Sequence, residues 1–174
     1  MTGRINETRD AIVAAIEAAM PELRDCSAQF GRFDLDELER SSIRAPAVRV
    51  GILGADIDGR ADDNPTAMLK CAAFAIADGK DRDAAAWTMA EAIAVLLRRN
   101  TRFGLTHIGA PEHVRVGPVV SAAFKNRGIA VAAVEWTLRR HDLGDGIFDD
   151  EGIVWVELYV NDELVVDEPS EAPA

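Results

Sequence analysis

Nucleophilic catalysis of the serine–histidine–acid kind needs an imidazole within reach of the hydroxyl whose proton it takes. This chain has three imidazoles, His107, His113 and His141. His107 follows a helical segment within an irregular stretch, His113 opens a strand-like run and His141 closes another, positions that suit solvated edge side chains. Ser41, Ser42 and Ser121 lack the G-x-S-x-G turn that lifts a nucleophile out of a strand–helix junction. Cys26 and Cys71 stand in different segments with no CxxC spacing and no nearby histidine pair, so they read as buried free thiols of a reducing compartment and not as a zinc or redox site.

Carboxylates offer a second chemistry. Asp56, Asp58, Asp62 and Asp63 crowd the segment 55–65, and Asp142, Asp145, Asp149, Asp150 and Glu151 crowd another. Calcium takes oxygen ligands of this kind, but an EF-hand loop needs glycine at its sixth position and a bidentate glutamate at its twelfth. Gly59 comes too early and Ala67 stands where the glutamate belongs, so both clusters read as solvated acidic loops without a cation. Gly51, Gly54 and Gly59 follow a strand, yet an acidic, proline-containing loop comes next, where a phosphate cradle requires a helix N-terminus. The chain has no GKS or GKT, and its single tyrosine and few lysines make no basic, aromatic surface for single-stranded nucleic acid. These residues imply no catalytic group, no metal and no cofactor.

The elements that would carry a site are clearer than the site. Ile5, Ile12, Ile16 and Met20 form a one-sided stripe among alanines, which predicts a helix ended by Pro21. Cys26–Phe30 reads as a short strand, and Asp34 with Glu37 as the start of a short helix. APAVRVGILG (45–54) and AMLKCAAFAIA (67–77) predict two strands joined by the acidic loop 55–65. Asp78–Gly79 starts a turn, and the residues that follow it up to Arg99 predict a helix with Ala86, Ala90, Ile93, Ala94 and Leu97 on one face, Asp81 and Asp83 near its start and Arg98 and Arg99 at its end, as the helix dipole favours. HVRVGPVVSAAF and GIAVAAVEWTL predict a second hairpin across Lys125–Gly128. Trp87 and Trp136, each in a regular element with apolar neighbours, are expected in the core.

The expected fold is therefore α+β: a mostly antiparallel sheet of about four strands with two main helices on one face, plus a C-terminal β-hairpin extension. Residues 1–141 form the main domain, 142–166 an acidic loop and hairpin, and 167–174 a disordered tail. In IVWVELYV the residues Val154, Val156, Leu158 and Val160 alternate with Ile153, Trp155 and Tyr159, so both faces are apolar and call for cover. Ile153, Val154, Trp155, Val156 and Tyr159 are the candidate contacts with a neighbouring subunit or filament.

Composition narrows the partners. Lys and Arg number 19 against 30 Asp and Glu, a formal charge of 19 − 30 = −11, which repels phosphate backbones and anionic lipid. The N-terminal MTGRINETRD lacks an apolar signal core, and no apolar run approaches the ~20 residues that span a bilayer. The expectation is the cytoplasm, no membrane and no specific DNA binding.

The order of MPEL, PAVRVGILGA, AMLKCAAFAIADGKDRD, AAAWTMAEAIAVLL and GIAVAAVEWTL, over residues 5–140, resembles the minor tail proteins of Mu-like phages and prophages and, more distantly, the tail terminators of lambda-type tails. The resemblance implies a structural protein of the virion tail at its neck end. It would be a homo-oligomer, a hexameric ring that caps the tail tube protein, stops polymerisation and meets the head–tail connector, with DNA passing through its lumen. A head-completion or neck connector protein is the alternative within that class, and a cytosolic enzyme or ligand-binding domain the alternative outside it. The chain departs from the family pattern after about residue 141, where the acidic loop and hairpin are longer than the pattern has.

Overall fold

The computed structural model describes residues 3–33, 43–59, 65–120, 124 and 126–144, and the backbone of 158–160 and 163–166. Helix α1 spans Arg4–Ala19 and buries Thr8, Ile12 and Ile16, with Met20 at its C-cap continuing the four-residue spacing. Thr8 tolerates burial because its hydroxyl donates to the carbonyl of Arg4 at 2.8 Å. Five strands follow with one helix among them: β1 (Asp25–Phe30), β2 (Ala47–Asp58), β3 (Thr66–Asp78), α2 (Arg82–Arg99), β4 (Glu112–Pro118) and β5 (Ile129–Arg140).

The strands form one sheet in the order β1-β2-β3-β5-β4. β1 pairs with β2 in parallel, and every other pair is antiparallel. The fold is thus α+β with a mostly antiparallel sheet, as the sequence predicts. The fifth strand, β1, joins through its parallel pairing with β2. β2 also runs further than predicted, to Asp58, so Asp56 and Asp58 belong to a strand and not to the loop. Leu53 is an extra residue opposite the Cys71–Lys70 step, a bulge that reverses which residues of β2 face the helices.

β3 lies at the centre, and its residues from Cys71 to Ala77 are buried without a break. Both helices cover one face, where Ile12, Ile16, Ile93 and Leu97 pack on Val48, Val50, Leu69, Val134 and Leu138. A smaller core lies on the other face, built from Phe33, Phe74 and Phe124 with Ala47, Ile76 and Val131. The Phe33 ring is 5.8 Å from those of both Phe74 and Phe124. Trp136 is buried, but Trp87 is 46% exposed, against expectation. It follows buried Ala86 by one residue, about 100° around the helix, which turns it from the sheet to the helix flank.

The predicted strand through Phe124 ends early, at Pro118, which has no N–H to offer the ladder. Phe124 instead sits in the second core. Leu158–Val160 and Glu163–Val166 form a separate two-stranded antiparallel sheet, β6 and β7, in agreement with the predicted hairpin. The predicted short helix from Asp34 and the tail 167–174 lie outside the described residues.

Burial makes a graded prediction. Leu69→Ala, at a site with no exposure, is expected to cost about 2–5 kcal/mol, read as a lower urea midpoint at unchanged slope. Val95→Ala, on the outer surface of α2 at 44% exposure, should change stability by no more than about 0.5 kcal/mol.

Candidate interaction surface

Among the described residues the large apolar side chains left in water, Val95 apart, collect at the two lateral edges of the sheet. Among the described residues the large exposed hydrophobics are Phe30, Ile57, Trp87, Val95, Val116 and Val120. Phe30 and Ile57 belong to the β1–β2 side, and Trp87, Val116 and Val120 to the β4–α2 side. Phe30, the last residue of β1, is 98% exposed, an unusual state for a phenylalanine. Among the described strands nothing pairs with the outer edge of β1, of β4, or of β2 beyond Ile52.

Each edge carries a groove. The first, about 300 Å³, lies between the N-terminal half of α1 and the ends of β1 and β2, lined by Ile5, Arg9, Phe30, Ile52 and Ala55. The second, about 260 Å³, lies where β4 stops short of α2, lined by Asp83, Trp87, Val119, Val120, Phe124 and Ala130. Beyond the hydrogen bond from the Val119 N–H to the Val131 carbonyl at 2.9 Å, no described strand pairs with the first residues of β5 on that side, and they floor the groove.

Two buried arginines brace the elements around the first groove. Arg49 of β2 is 5% exposed and donates through both terminal nitrogens to the Asp25 carboxylate, each at 2.6 Å. That bidentate pair ties edge strand β1 to β2. The Arg49 hydrogen bonds hold the Asp25 carboxyl below its ordinary value of 3.8, more than burial raises it. Arg140, at the end of β5, is 1% exposed; it donates to Glu7 of α1 at 2.7 Å and to the carbonyls of Thr106 and His107. Glu7 also accepts from Arg4 at 3.0 Å, and that bond is the main cause of its lowered pKa. Sequence reasoning passed over both arginines, although Arg140 continues the inward phase of Ala132, Val134, Trp136 and Leu138. Phe30 was passed over as well, and Gly31 directly after it, at φ +77, is the one sign that the strand stops there.

The residues singled out for chemistry are dispersed. His107 pairs with Asp142 at 2.5 Å, the Nδ1 of His141 lies 3.2 Å from the Thr66 hydroxyl, and His113 sits at a bulge in β4 with φ +54. Asp56 makes an exposed ion pair with Lys70 at 2.8 Å, and Asp58 is exposed at the end of β2. Asp62 and Asp63 lie outside the described residues, as do Ile153, Val154, Trp155 and Val156. Tyr159 is placed by its backbone alone, paired with Leu164. Among the described residues no three His, Cys, Asp or Glu side chains come together to hold a metal ion, and no helix is long and apolar enough to cross a membrane. Both cysteines are free; Cys71 is buried, while Cys26 is only half-buried, so the expectation of burial holds fully for the first. Burial pushes the Cys71 thiol up to about 12 and the Cys26 thiol up to about 11, the latter helped by nearby Glu17 and Asp25.

Two predictions follow from these groups. Asp25→Asn leaves Arg49 buried beside a neutral amide and should cost on the order of 3 kcal/mol at pH 7. Because the folded-state pKa of Asp25 is depressed, its contribution is present above 3.8 and lost as pH falls through the folded value. The variant should therefore lose less stability than the parent on acidification below about pH 4, measured by urea unfolding across pH. A thiol reagent at pH 8 should label neither cysteine quickly in the native protein and both in denaturant, since the thiolate is the reactive form. Rapid native labelling of Cys71 would contradict its burial.

No protein-family model matches this chain, and no curated protein shows significant similarity to it.

Proposed function

We propose that the protein is a structural assembly subunit that works as one copy in a closed ring, of the kind that caps the tail tube of a phage or prophage particle: a tail terminator. One observation carries the reading. The exposed aromatic and aliphatic side chains lie at opposite edges of one sheet whose interior is closed, with Phe30 at one side and Trp87 and Val120 at the other. Two different patches on opposite edges favour head-to-tail contacts, which close into a ring when the rotation per subunit divides a full turn. The order of helix, strands, helix and strands over residues 5–140 supports a relation to tail-completion proteins.

In this reading the partners are further copies of the chain, six in the assembled tail, together with the tail tube protein on one rim and the head–tail connector on the other. The charge of −11 suits a lumen that lets DNA pass without holding it. Native mass spectrometry at low and high concentration, with electron micrographs of tail tubes incubated with the protein, tests the proposal. The expected result is one discrete oligomer, growing with concentration, and density at a single tube end. A protein that stays monomeric at every concentration and leaves tube ends bare would refute it.

A further inference from the structure

Phe30 and the groove beside Trp87 have complementary chemistry and cannot meet within one molecule. Phe30 lies on β1 and the groove at the β4–β5 margin, so three to four interstrand spacings of about 4.8 Å put them about 14–19 Å apart across the sheet. The register adds an offset along the strands: Phe30 aligns with Ile52, Cys71 and Trp136, whereas the groove is floored by residues that pair with Ala75 to Asp78. From Cys71 to Ala75 is four residues, roughly 13 Å. A ring on one rigid edge and a slot on the opposite one can be joined only by a second copy.

Charge agrees with that occupant. Arg9 lines the groove beside Phe30. Asp83 lines the slot beside Trp87 and is 86% exposed. Arg9 pairs within the molecule with Asp10, and Asp83 with Arg82 at 4.0 Å, ion pairs near the surface where exchange for a partner across an interface costs little. The knob is bordered by a cation and the slot by an anion, which steers the two together and disfavours knob against knob.

We infer that Phe30 of one copy docks into the groove formed by Trp87, Val120 and Phe124 of the next, making the repeated head-to-tail joint of the assembly. This rests on the ring reading above and names its contact. The joint is side chain into slot, so the sheet need not continue from copy to copy.

Phe30→Asp removes the knob and Val120→Arg blocks the slot; both positions are exposed, 98% and 72%, so folding should be preserved and is checked by urea midpoint. Analytical ultracentrifugation of the full chain should find the parent assembled and each variant alone requiring at least about tenfold more protein to assemble. Mixed in equal amounts, the variants should form a 1:1 dimer that grows no further, because one keeps its slot and the other its knob. A mixture that stays monomeric, or that grows past a dimer, overturns the pairing. Either variant assembling alone like the parent overturns the pairing and leaves the ring standing. A parent that never assembles overturns both.

Discussion

Everything in this fold depends on β3 being hidden on both faces. From Cys71 to Ala77 it exposes almost nothing, and four of those seven residues are alanine. Small side chains let α2 come close on one face while Phe74 and Ile76 reach into the aromatic cluster on the other. A strand clamped in this way cannot shift by one residue, since the slip would send Phe74 under the helices and Cys71 to the other side. The neighbours β2 and β5 inherit their register from it through ladders of eleven and twelve paired residues.

With the centre satisfied, what the molecule can offer to others is confined to its margins. The β1–α1 margin is stiff, because its elements are tied down by buried cations: Arg49 through Asp25 for β1, and Arg140 through Glu7 for α1 against the end of β5. A buried guanidinium is an expensive way to gain stability. It is an effective way to fix direction, since the fork geometry accepts one arrangement of its partner.

Much of this was legible in the residues. The stripe Ile12, Ile16, Met20, the charge bias of α2 and the long apolar runs of β2, β3 and β5 each name their element, because local periodicity and burial agree there. The rest turned on choices that no local pattern records. Leu53 is an apolar residue in an apolar run, and only its pairing opposite β3 makes it a bulge. β1 alternates too briefly to announce a parallel neighbour. Trp87 sits among alanines and was assigned inward, yet a single step round the helix put it outside. Candidate contacts were sought in the C-terminal strand, whereas the large apolar side chains exposed among the described residues include Phe30, Trp87 and Val120, residue types that read as core until the topology places them on an edge.

The bulges in β2 at Leu53 and in β4 at His113–Val114 flank the sheet on both sides. Each interrupts the even spacing of amide and carbonyl groups that a foreign strand would need as a template, and each adds local twist. Pairing with a foreign strand is thereby discouraged at both positions, which favours contacts through side chains over contacts through the backbone.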